Sequence, residues 1–351
     1  MFAELDTPSV LIDMDITENN VIKYQKYCDR NNLELRPHIK THKIPAIAKL
    51  QLSSGAVGIT CQKISEAEAM ISEGGIEDIL ITYNILGPAK LLRLRKLADK
   101  VNLSVVADNS ECIRGLSETF ATASRPLPVL VECDTGSERC GVTSPEAAAV
   151  LAAEIGCLPG LTFKGLMTYP AAGQGKKIQE FLESAKFLIE DAGQSVLVVS
   201  SGGSPDMWKA DMVPVATEYR IGTYVYNDRS LQSRGVCGWA DCALTVLATV
   251  VSTPTKNRAI IDAGSKVLTS DLFGLTGHGH VLGQPDLKID NLSEEHGRII
   301  SESPTGLFVG QRIRIVPNHA CVVTNMLDSV ILVRGKKILG LQKIPARGKV
   351  W

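Results

Sequence analysis

The segments PVLVECDTG (128–136), SPEAAAVLAAEIG (144–156) and FKGLMTYP (163–170) decide the fold, because together they have the pattern of a strand, a helix and a second strand. The two outer segments are short and largely apolar and are closed by polar residues, which is typical of strands buried on both faces of a parallel sheet. In the middle segment Ser144 is a suitable helix N-cap and Pro145 a suitable first helical residue. The stretch therefore predicts a βαβ unit.

Similar strand patterns lie on both sides of this stretch and bring the number of candidate strands to eight. The six others are LRPHIKT (35–41), AVGITC (56–61), DILITYN (78–84), NLSVVAD (102–108), SVLVVSSGG (195–203) and YRIGTYVYND (219–228). Helical patterns separate them, at KISEAEAMISEGG (63–75), GPAKLLRLRKLADK (87–100) and KKIQEFLESAKFLIEDAG (176–193). Eight similar units favour a (β/α)8 TIM barrel, and an open doubly wound sheet is the alternative.

The pattern changes after Asp228, where strands are separated by turns and not by long helices. The candidate strands here are ALTVLATVVSTP (243–254), RAIIDAG (258–264), QRIRIVP (311–317), SVILVRG (329–335) and KKILGLQKI (336–344). PSVLIDMD (8–15) is a further strand, which we expect either to close the barrel or to join the second domain. We predict an α/β chain with a barrel domain over residues 16–230 and a mostly β domain over residues 1–15 and 231–351.

The composition excludes several classes of protein. The 351 residues carry 37 Lys and Arg against 38 Asp and Glu, and 44% are hydrophobic, which is ordinary for a soluble globular chain. The chain has no excess of basic residues, which a protein that binds nucleic acid would usually carry. No apolar run is long enough to span a membrane. The first residues are acidic, unlike a secretory signal, and the nine cysteines show no CxxC pair. We therefore expect reduced thiols in a cytoplasm.

A parallel barrel places its active site at the carboxyl ends of its strands, and the last two strands carry glycine there. The loops SSGGSP (200–205) and RIGTYVYND (220–228) follow the seventh and eighth strands, where barrel enzymes often bind phosphate. Because glycine has no Cβ, backbone N–H groups can approach an anion closely. The simpler alternative is that Gly-Gly only ends a strand.

Lys40 lies at the end of the first strand. A charged lysine on a buried strand is costly unless it is paired or neutralised, and a desolvated lysine with a lowered pKa is what a Schiff base requires. The alternative is a surface lysine at a strand end. Lys40, Arg139 and the two glycine loops together point to an aldehyde cofactor that bears a phosphate, pyridoxal 5′-phosphate.

Six motifs, in this order, resemble the D-threonine aldolase / eukaryotic-type D-serine dehydratase family. They are RPHIKTHK (36–43), TGSERCGV (135–142), GLMTYP (165–170), SSGGSP (200–205), RIGTYVYND (220–228) and PNHACVV (317–323). This family consists of fold-type III pyridoxal-phosphate enzymes that are related in fold to alanine racemase. The resemblance covers essentially the whole chain and implies a cofactor-binding barrel, a β domain and a homodimer.

The resemblance also implies roles for individual residues. Lys40 is the Schiff-base lysine, with Lys43 as the competitor in the same motif. Arg139 contacts the phenolic oxygen of the cofactor, and Tyr169 packs on its ring and joins the catalytic set. His42, two residues from Lys40 on the same predicted strand face, is a candidate general base. The remaining cofactor-binding candidates are Gln62, Ser201, Gly202, Gly203, Arg220, Gly222, Thr223 and Tyr224.

His319 and Cys321 follow the strand over 311–317, and residues two apart on an extended strand share a face. From the pattern alone, a half-buried histidine and a core cysteine are the plainer interpretation. The resemblance implies that the pair binds a divalent metal, Mn²⁺ or Zn²⁺, with Mg²⁺ and Co²⁺ as further candidates. His278 and His280 could form a second pair, but we favour a glycine-rich loop there.

The resemblance implies a lyase that acts on D-3-hydroxy amino acids. We favour a D-threonine aldolase, because the stretch over residues 241–266 resembles the bacterial aldolase members. A dehydratase acting on D-serine or 3-hydroxy-D-aspartate is the alternative. A racemase would need a tyrosine on the opposite face of the cofactor, and none can be identified. A non-catalytic cofactor carrier would need neither the β domain nor the His319 and Cys321 pair.

Overall fold

The computed structural model describes residues 2–351, which form two compact units. The barrel unit consists of Tyr24–Lys40, Pro45–Gly222 and Lys349–Trp351. The β unit consists of residues 2–23, Thr41–Ile44 and Thr223–Gly348. The chain therefore passes from one unit to the other directly after Lys40, and again directly after Gly222.

The strands and helices have the following bounds. The strands are β1 (Ser9–Asp13), β2 (Glu34–Leu35), β3 (Ile59–Cys61), β4 (Asp78–Ile81), β5 (Asn102–Ala107), β6 (Leu127–Cys133), β7 (Leu161–Thr168), β8 (Val198–Gly202), β9 (Glu218–Arg220), β10 (Leu244–Thr255), β11 (Arg258–Ile261), β12 (His280–Val281), β13 (Lys288–Leu292), β14 (Gly297–Ile300), β15 (Arg312–Val316), β16 (Ser329–Arg334) and β17 (Lys337–Lys343). The helices are α1 (Met14–Arg30), α2 (Pro45–Ser53), α3 (Ile64–Ile71), α4 (Pro88–Ala98), α5 (Ser110–Phe120), α6 (Pro145–Cys157), α7 (Gly175–Asp191), α8 (Arg229–Gln232), α9 (Ser265–Leu268) and α10 (Ala320–Met326).

The barrel unit contains eight parallel strands in the order β2-β9-β8-β7-β6-β5-β4-β3. The residues after β2 close the ring, because the His38 N–H donates to the Ile221 carbonyl at 2.8 Å while the Thr60 N–H donates to the Pro37 carbonyl at 2.8 Å. The predicted (β/α)8 barrel is confirmed. Its first strand is shorter than predicted, since Ile39–Thr41 forms a 3-10 turn.

Local signals in the sequence explain the helices around this barrel. In α6 the Ser144 Oγ accepts from the Ala147 N–H at 3.2 Å, and Pro145 occupies the first turn. The apolar positions of α6 are buried at Ala148, Leu151, Ala152 and Ile155. The sheet itself has an apolar cluster of Leu80, Val106, Leu130 and Met167, which come from four successive strands. Burial of such side chains is the dominant favourable term in folding.

The β unit is built on a nine-stranded sheet in the order β11-β14-β13-β12-β15-β10-β1-β16-β17. An additional pairing of β10 with β11 closes six of these strands into a ring. Strand β1 pairs with β10 and β16, so the amino-terminal strand joins the β domain and does not close the barrel. The hairpin of β13 and β14 was not predicted, because its strands are short and interrupted by charges. None of the helices described for residues 2–351 is long and apolar enough to cross a membrane.

Candidate active site

Three of the predicted site residues lie together around one ring in the barrel unit. Tyr169 directly follows β7 and is 36% exposed. The Lys40 Nζ lies 5.9 Å from the centroid of the Tyr169 ring, and the Arg139 Cζ lies 4.6 Å from it. An amine, a guanidinium and an accessible aromatic face are therefore grouped at the carboxyl ends of the strands, where a barrel places its chemistry.

The backbone of Lys40 is fixed by a chain of hydrogen bonds that includes Gln62. The Lys40 N–H donates to the His38 Nδ1 at 3.3 Å, so the His38 Nε2 is left to donate to the Gln62 Oε1 at 3.1 Å. The Gln62 Nε2 in turn donates to the Thr82 carbonyl at 2.7 Å. His38 was not among the predicted site residues, although it stands in the same motif, two positions before the lysine.

Glycine is required where β8 ends. Gly202 has φ 155°, and a Cβ built on it would lie 2.0 Å from the Arg220 carbonyl oxygen. Gly203 has φ 149°, which is again a backbone conformation that favours glycine. The main chain at this strand end is therefore free of side chains over two successive residues. This cradle fits the phosphate of a cofactor, because backbone N–H groups at such a position are accessible to an anion.

The other residues predicted to lie near the phosphate are divided between the two units. Ser201 is buried and lines a cavity of about 210 Å³ together with Asp206, Lys209 and Tyr219. Gly222 is buried in the barrel unit, whereas Thr223 and Tyr224 form part of a 3-10 turn in the β unit.

Arg220 belongs to a buried network that extends to Arg36. The Arg220 Nε donates to the Ser200 Oγ at 2.8 Å, and the Ser200 hydroxyl donates to the Glu218 carboxylate. The Arg36 Nε donates to the other oxygen of that carboxylate at 2.6 Å, and the Arg36 guanidinium also pairs with Asp78. Burial lowers the pKa of Arg220 to about 10, against the effect of Glu218. Sequence reasoning selected Arg220 and missed its partners.

Glu132 is a further charged residue that sequence reasoning missed. It lies on β6, two residues after Leu130, and only 4% of it is exposed. Burial raises the pKa of the Glu132 carboxyl to about 7, although nearby Arg139 and Arg220 oppose the rise. A single acid inside the apolar run VLVEC was the available signal. The carboxyl can hold or release a proton near neutral pH.

His42 and Lys43 are buried in the β unit. The His42 Nδ1 accepts from the Ile44 N–H at 3.1 Å, and the Lys43 Nζ donates to the Ala346 carbonyl at 3.4 Å. The expectation that His42 shares a strand face with Lys40 is wrong, because Ile39–Thr41 is a 3-10 turn and not part of a strand. The role of His42 as a general base stays a prediction.

His319 and Cys321 lie at the start of a helix, so the expectation that they share a strand is wrong. Strand β15 ends at Val316, His319 is the N-cap residue of α10, and Cys321 is in its first turn. Their side chains are nevertheless close enough for Cys321 to raise the pKa of His319. Burial alone would lower the pKa of His319, but Cys321 and Asp271 outweigh it and raise the pKa to about 9.

The donor atoms of this pair fit a divalent metal. Imidazole nitrogen and thiolate sulfur are preferred zinc ligands, and two protein ligands leave positions for water or substrate. Within the described range, residues 2–351, no cluster of three or more His, Cys, Asp and Glu side chains is arranged for a metal. His280 is stacked on Trp239 with ring centroids 3.7 Å apart, and the His278 Nδ1 is buried without a hydrogen-bond partner.

Two family models match successive parts of this chain. The family model for the alanine racemase N-terminal domain matches residues 12–230, and the model for a putative serine dehydratase domain matches residues 243–333. D-threonine aldolase from Arthrobacter sp. is 33% identical over 99% of this chain and 94% of its own length. The 3-hydroxy-D-aspartate aldolase of Paracoccus denitrificans (strain Pd 1222) is 32% identical, with 99% and 93% covered.

Solved structures of similar proteins superpose on nearly the whole of this chain. D-threonine aldolase from Filomicrobium marinum superposes with a TM-score of 0.91 at 31% identity, covering 100% of this chain and 98% of that one. A cysteine-to-alanine variant of D-threo-3-hydroxyaspartate dehydratase in its metal-free form has a TM-score of 0.86 at 28% identity, with 97% of both chains covered. Another structure of that dehydratase carries a histidine-to-alanine change two positions before this cysteine.

Proposed function

Because the chain belongs to the fold-type III pyridoxal-phosphate enzymes, the family of the alanine racemase N-terminal domain and the putative serine dehydratase domain, we propose that it is a lyase acting on D-3-hydroxy amino acids. The proposed activity is that of a D-threonine aldolase, which cleaves the Cα–Cβ bond to give glycine and an aldehyde. Two relatives that match almost the full chain are named as aldolases of such substrates.

The observation that carries this proposal is the grouping of Lys40 and Arg139 on the ring of Tyr169. Lys40 would hold the aldehyde carbon of pyridoxal 5′-phosphate, Tyr169 would pack on its ring, and Arg139 would hold its phenolic oxygen as an anion. The backbone at Gly202 and Gly203 would hold the phosphate. When bound, the cofactor supplies an electron sink for the charge left at Cα as the bond breaks.

The surrounding residues keep this arrangement in place. His38 and Gln62 hold the backbone of Lys40, so its amine starts from a defined position. Ser200 and Glu218 hold Arg220, whose guanidinium also donates to the Thr168 carbonyl at the end of β7, one residue before Tyr169. Preorganised charges of this kind need no rearrangement during the reaction.

The β unit would bind a metal through His319 and Cys321. A divalent ion, Mn²⁺ or Zn²⁺ with Mg²⁺ and Co²⁺ as further candidates, would act as a Lewis acid toward a substrate hydroxyl. We also propose a homodimer, as in the family that the motifs resemble. The nine cysteines are all free thiols, which supports a reducing compartment such as the cytoplasm.

A dehydratase is the second candidate, and one observation favours it. The dehydratase structures carry substitutions at a histidine and at a cysteine two positions later, and the cysteine variant is described as metal-free. His319 and Cys321 have the same residue types at the same spacing. In this alternative the substrate would be D-serine or 3-hydroxy-D-aspartate, and elimination of the hydroxyl would give ammonia and a 2-oxo acid.

Product analysis separates the two candidates. The purified protein is incubated with pyridoxal phosphate, Mn²⁺ or Zn²⁺, and D-threonine, with D-serine and 3-hydroxy-D-aspartate in parallel. Glycine and acetaldehyde from D-threonine, lost on adding a chelator, would support the aldolase. Ammonia and a 2-oxo acid would support the dehydratase. If neither pair forms from any of these substrates, although Lys40→Ala removes the absorbance of bound cofactor, the proposed substrate class is wrong.

A further inference from the structure

The loop over residues 269–273, here called the aspartate loop, lies against His319 in the β unit. The His319 Nδ1 and the Asp271 Oδ2 are 2.6 Å apart. The Phe273 ring meets the His319 ring edge to face, with centroids 4.7 Å apart. The imidazole is therefore fixed by a carboxylate at one nitrogen and by an aromatic ring at its side.

The aspartate loop is itself held in a defined conformation. The Asn318 Nδ2 donates to the Asp271 carbonyl at 2.9 Å, and the Asp271 N–H donates to the Thr269 Oγ1 at 3.2 Å. Thr269 has φ 67° and Phe273 has φ 49°. Residues other than glycine rarely adopt such positive φ values, and β-branched residues such as threonine do so least of all. The surrounding contacts must therefore stabilise the backbone of the aspartate loop. Asp271 lies midway between the two residues.

Cys321 and the start of its helix are fixed as well. The Thr41 Oγ1 lies 3.1 Å from the Cys321 Sγ, and the Thr223 Oγ1 lies 3.6 Å from it. The Asp228 Oδ2 accepts from the Ala320 N–H at 3.0 Å, which holds the first turn of α10. Both members of the pair therefore have polar neighbours that set their positions.

We infer that Asp271 is a positioning residue that orients His319 for a divalent metal. Its carboxylate lies 2.6 Å from the His319 Nδ1 and accepts the proton there, so the Nε2 is the nitrogen that would give up its proton and bind the metal. A carboxylate bonded to the second nitrogen of a metal-binding histidine fixes the tautomer and raises the basicity of the ligand. The inference rests on the metal site of the proposed function and adds the residue that would prepare it. Loss of such a partner weakens metal affinity by about 10–100-fold.

Cobalt titration tests this inference without measuring activity. Protein freed of metal by chelator and dialysis is titrated with Co²⁺, and binding is followed by the charge-transfer absorption of a thiolate bound to cobalt. We expect the dissociation constant of Asp271→Ala to rise about 10–100-fold over that of the parent protein. Asp271→Asn, which keeps an acceptor oxygen but loses the charge, should rise less.

Asp290→Asn is the matched control. Asp290 is also a partly buried aspartate of the β unit, and its carboxylate pairs with Arg298 of the neighbouring strand β14 at 2.8 Å. Its cobalt affinity should equal that of the parent protein. Circular dichroism checks that the variants fold, which we expect because the Asp271 side chain is 44% exposed.

The outcomes separate the inference from the proposal on which it rests. If the parent protein shows no cobalt–thiolate absorption, the metal site of the proposed function is wrong. If the parent binds Co²⁺ through its thiolate and both Asp271 variants bind equally tightly, only the positioning role is wrong. If Asp290→Asn weakens cobalt binding as much as Asp271→Ala does, the effect comes from the overall negative charge of the β unit. The positioning role is then again wrong.

Discussion

Replacing Glu132 by glutamine should make the protein more stable at alkaline pH and leave it nearly unchanged at acid pH. Glu132 is 4% exposed, and burial raises the pKa of its carboxyl from 4.5 to about 7 despite Arg139 and Arg220. The folded protein thus binds this proton more tightly than the unfolded chain does. The cost of ionising Glu132 in the folded state is absent below pH 4.5, grows up to about pH 7 and is constant above it.

The size of this cost follows from the two pKa values. A tenfold change in proton affinity corresponds to about 1.4 kcal/mol, so a pKa raised from 4.5 to about 7 makes the ionised group cost about 3 kcal/mol at about pH 8. At about pH 5 the same calculation gives about 1 kcal/mol. Glutamine has nearly the same shape and carries no charge, so Glu132→Gln should gain these amounts.

Urea denaturation followed by circular dichroism, at about pH 5 and about pH 8, measures the difference in stability. Glu183→Gln, on the exposed face of α7, is the control and should change stability by less than about 0.5 kcal/mol at either pH. Equal stability of parent and Glu132→Gln at about pH 8, or a gain that does not shrink toward about pH 5, would refute the reasoning. Equal stability would mean that the two arginines fully compensate the buried carboxylate, whereas a gain that does not shrink would mean that the gain does not come from the charge of Glu132.

Three further predictions concern Gly202, Arg36 and the choice between Lys40 and Lys43. Gly202→Ala should abolish the absorbance of bound cofactor or give insoluble protein, because its Cβ would lie 2.0 Å from the Arg220 carbonyl; normal cofactor binding would contradict the close packing of β8 on β9. Arg36→Met should lower the free energy of unfolding by about 3–5 kcal/mol, because it leaves the Glu218 carboxylate buried without its partner; a loss below about 1 kcal/mol in urea denaturation would show that the pair is not needed. Lys40→Ala should remove the cofactor absorbance, whereas a methionine in place of Lys43, whose amine bonds to a carbonyl, should keep it; the reverse result would exchange their roles.

The architecture could be predicted from the sequence because each barrel strand carries its own local signal. Strands such as β5 and β6 are short apolar runs that end at Ala107 and Cys133, close to the predicted ends. The first strand was predicted too long because the β propensity of residues 39–41 gives no sign of a 3-10 turn. Strands β13 and β14 were missed because KIDNL and GRII are too short and too charged to stand out from loops.

The candidate site was predictable only where a motif names the residue. Lys40, Arg139 and Tyr169 stand in recognisable motifs, and the structure brings them together. Asp271 has no sequence signal, because its proposed role comes from a loop that brings its Oδ2 to 2.6 Å from the Nδ1 of a histidine 48 positions away. Long-range contacts of this kind depend on how the loop folds back, which local patterns do not encode.

The buried network at Arg36 also limits how this barrel can evolve. Glu218 is shared by Arg36 and, through Ser200, by Arg220, so a single substitution at any of these positions leaves a charge or a hydroxyl without its partner. We therefore expect single substitutions at these positions to be destabilising, and only coordinated replacements of several of them to be tolerated. Among homologues, the residues at positions 36, 200, 218 and 220 should covary, and a lineage that has lost one of them should have lost its partners as well.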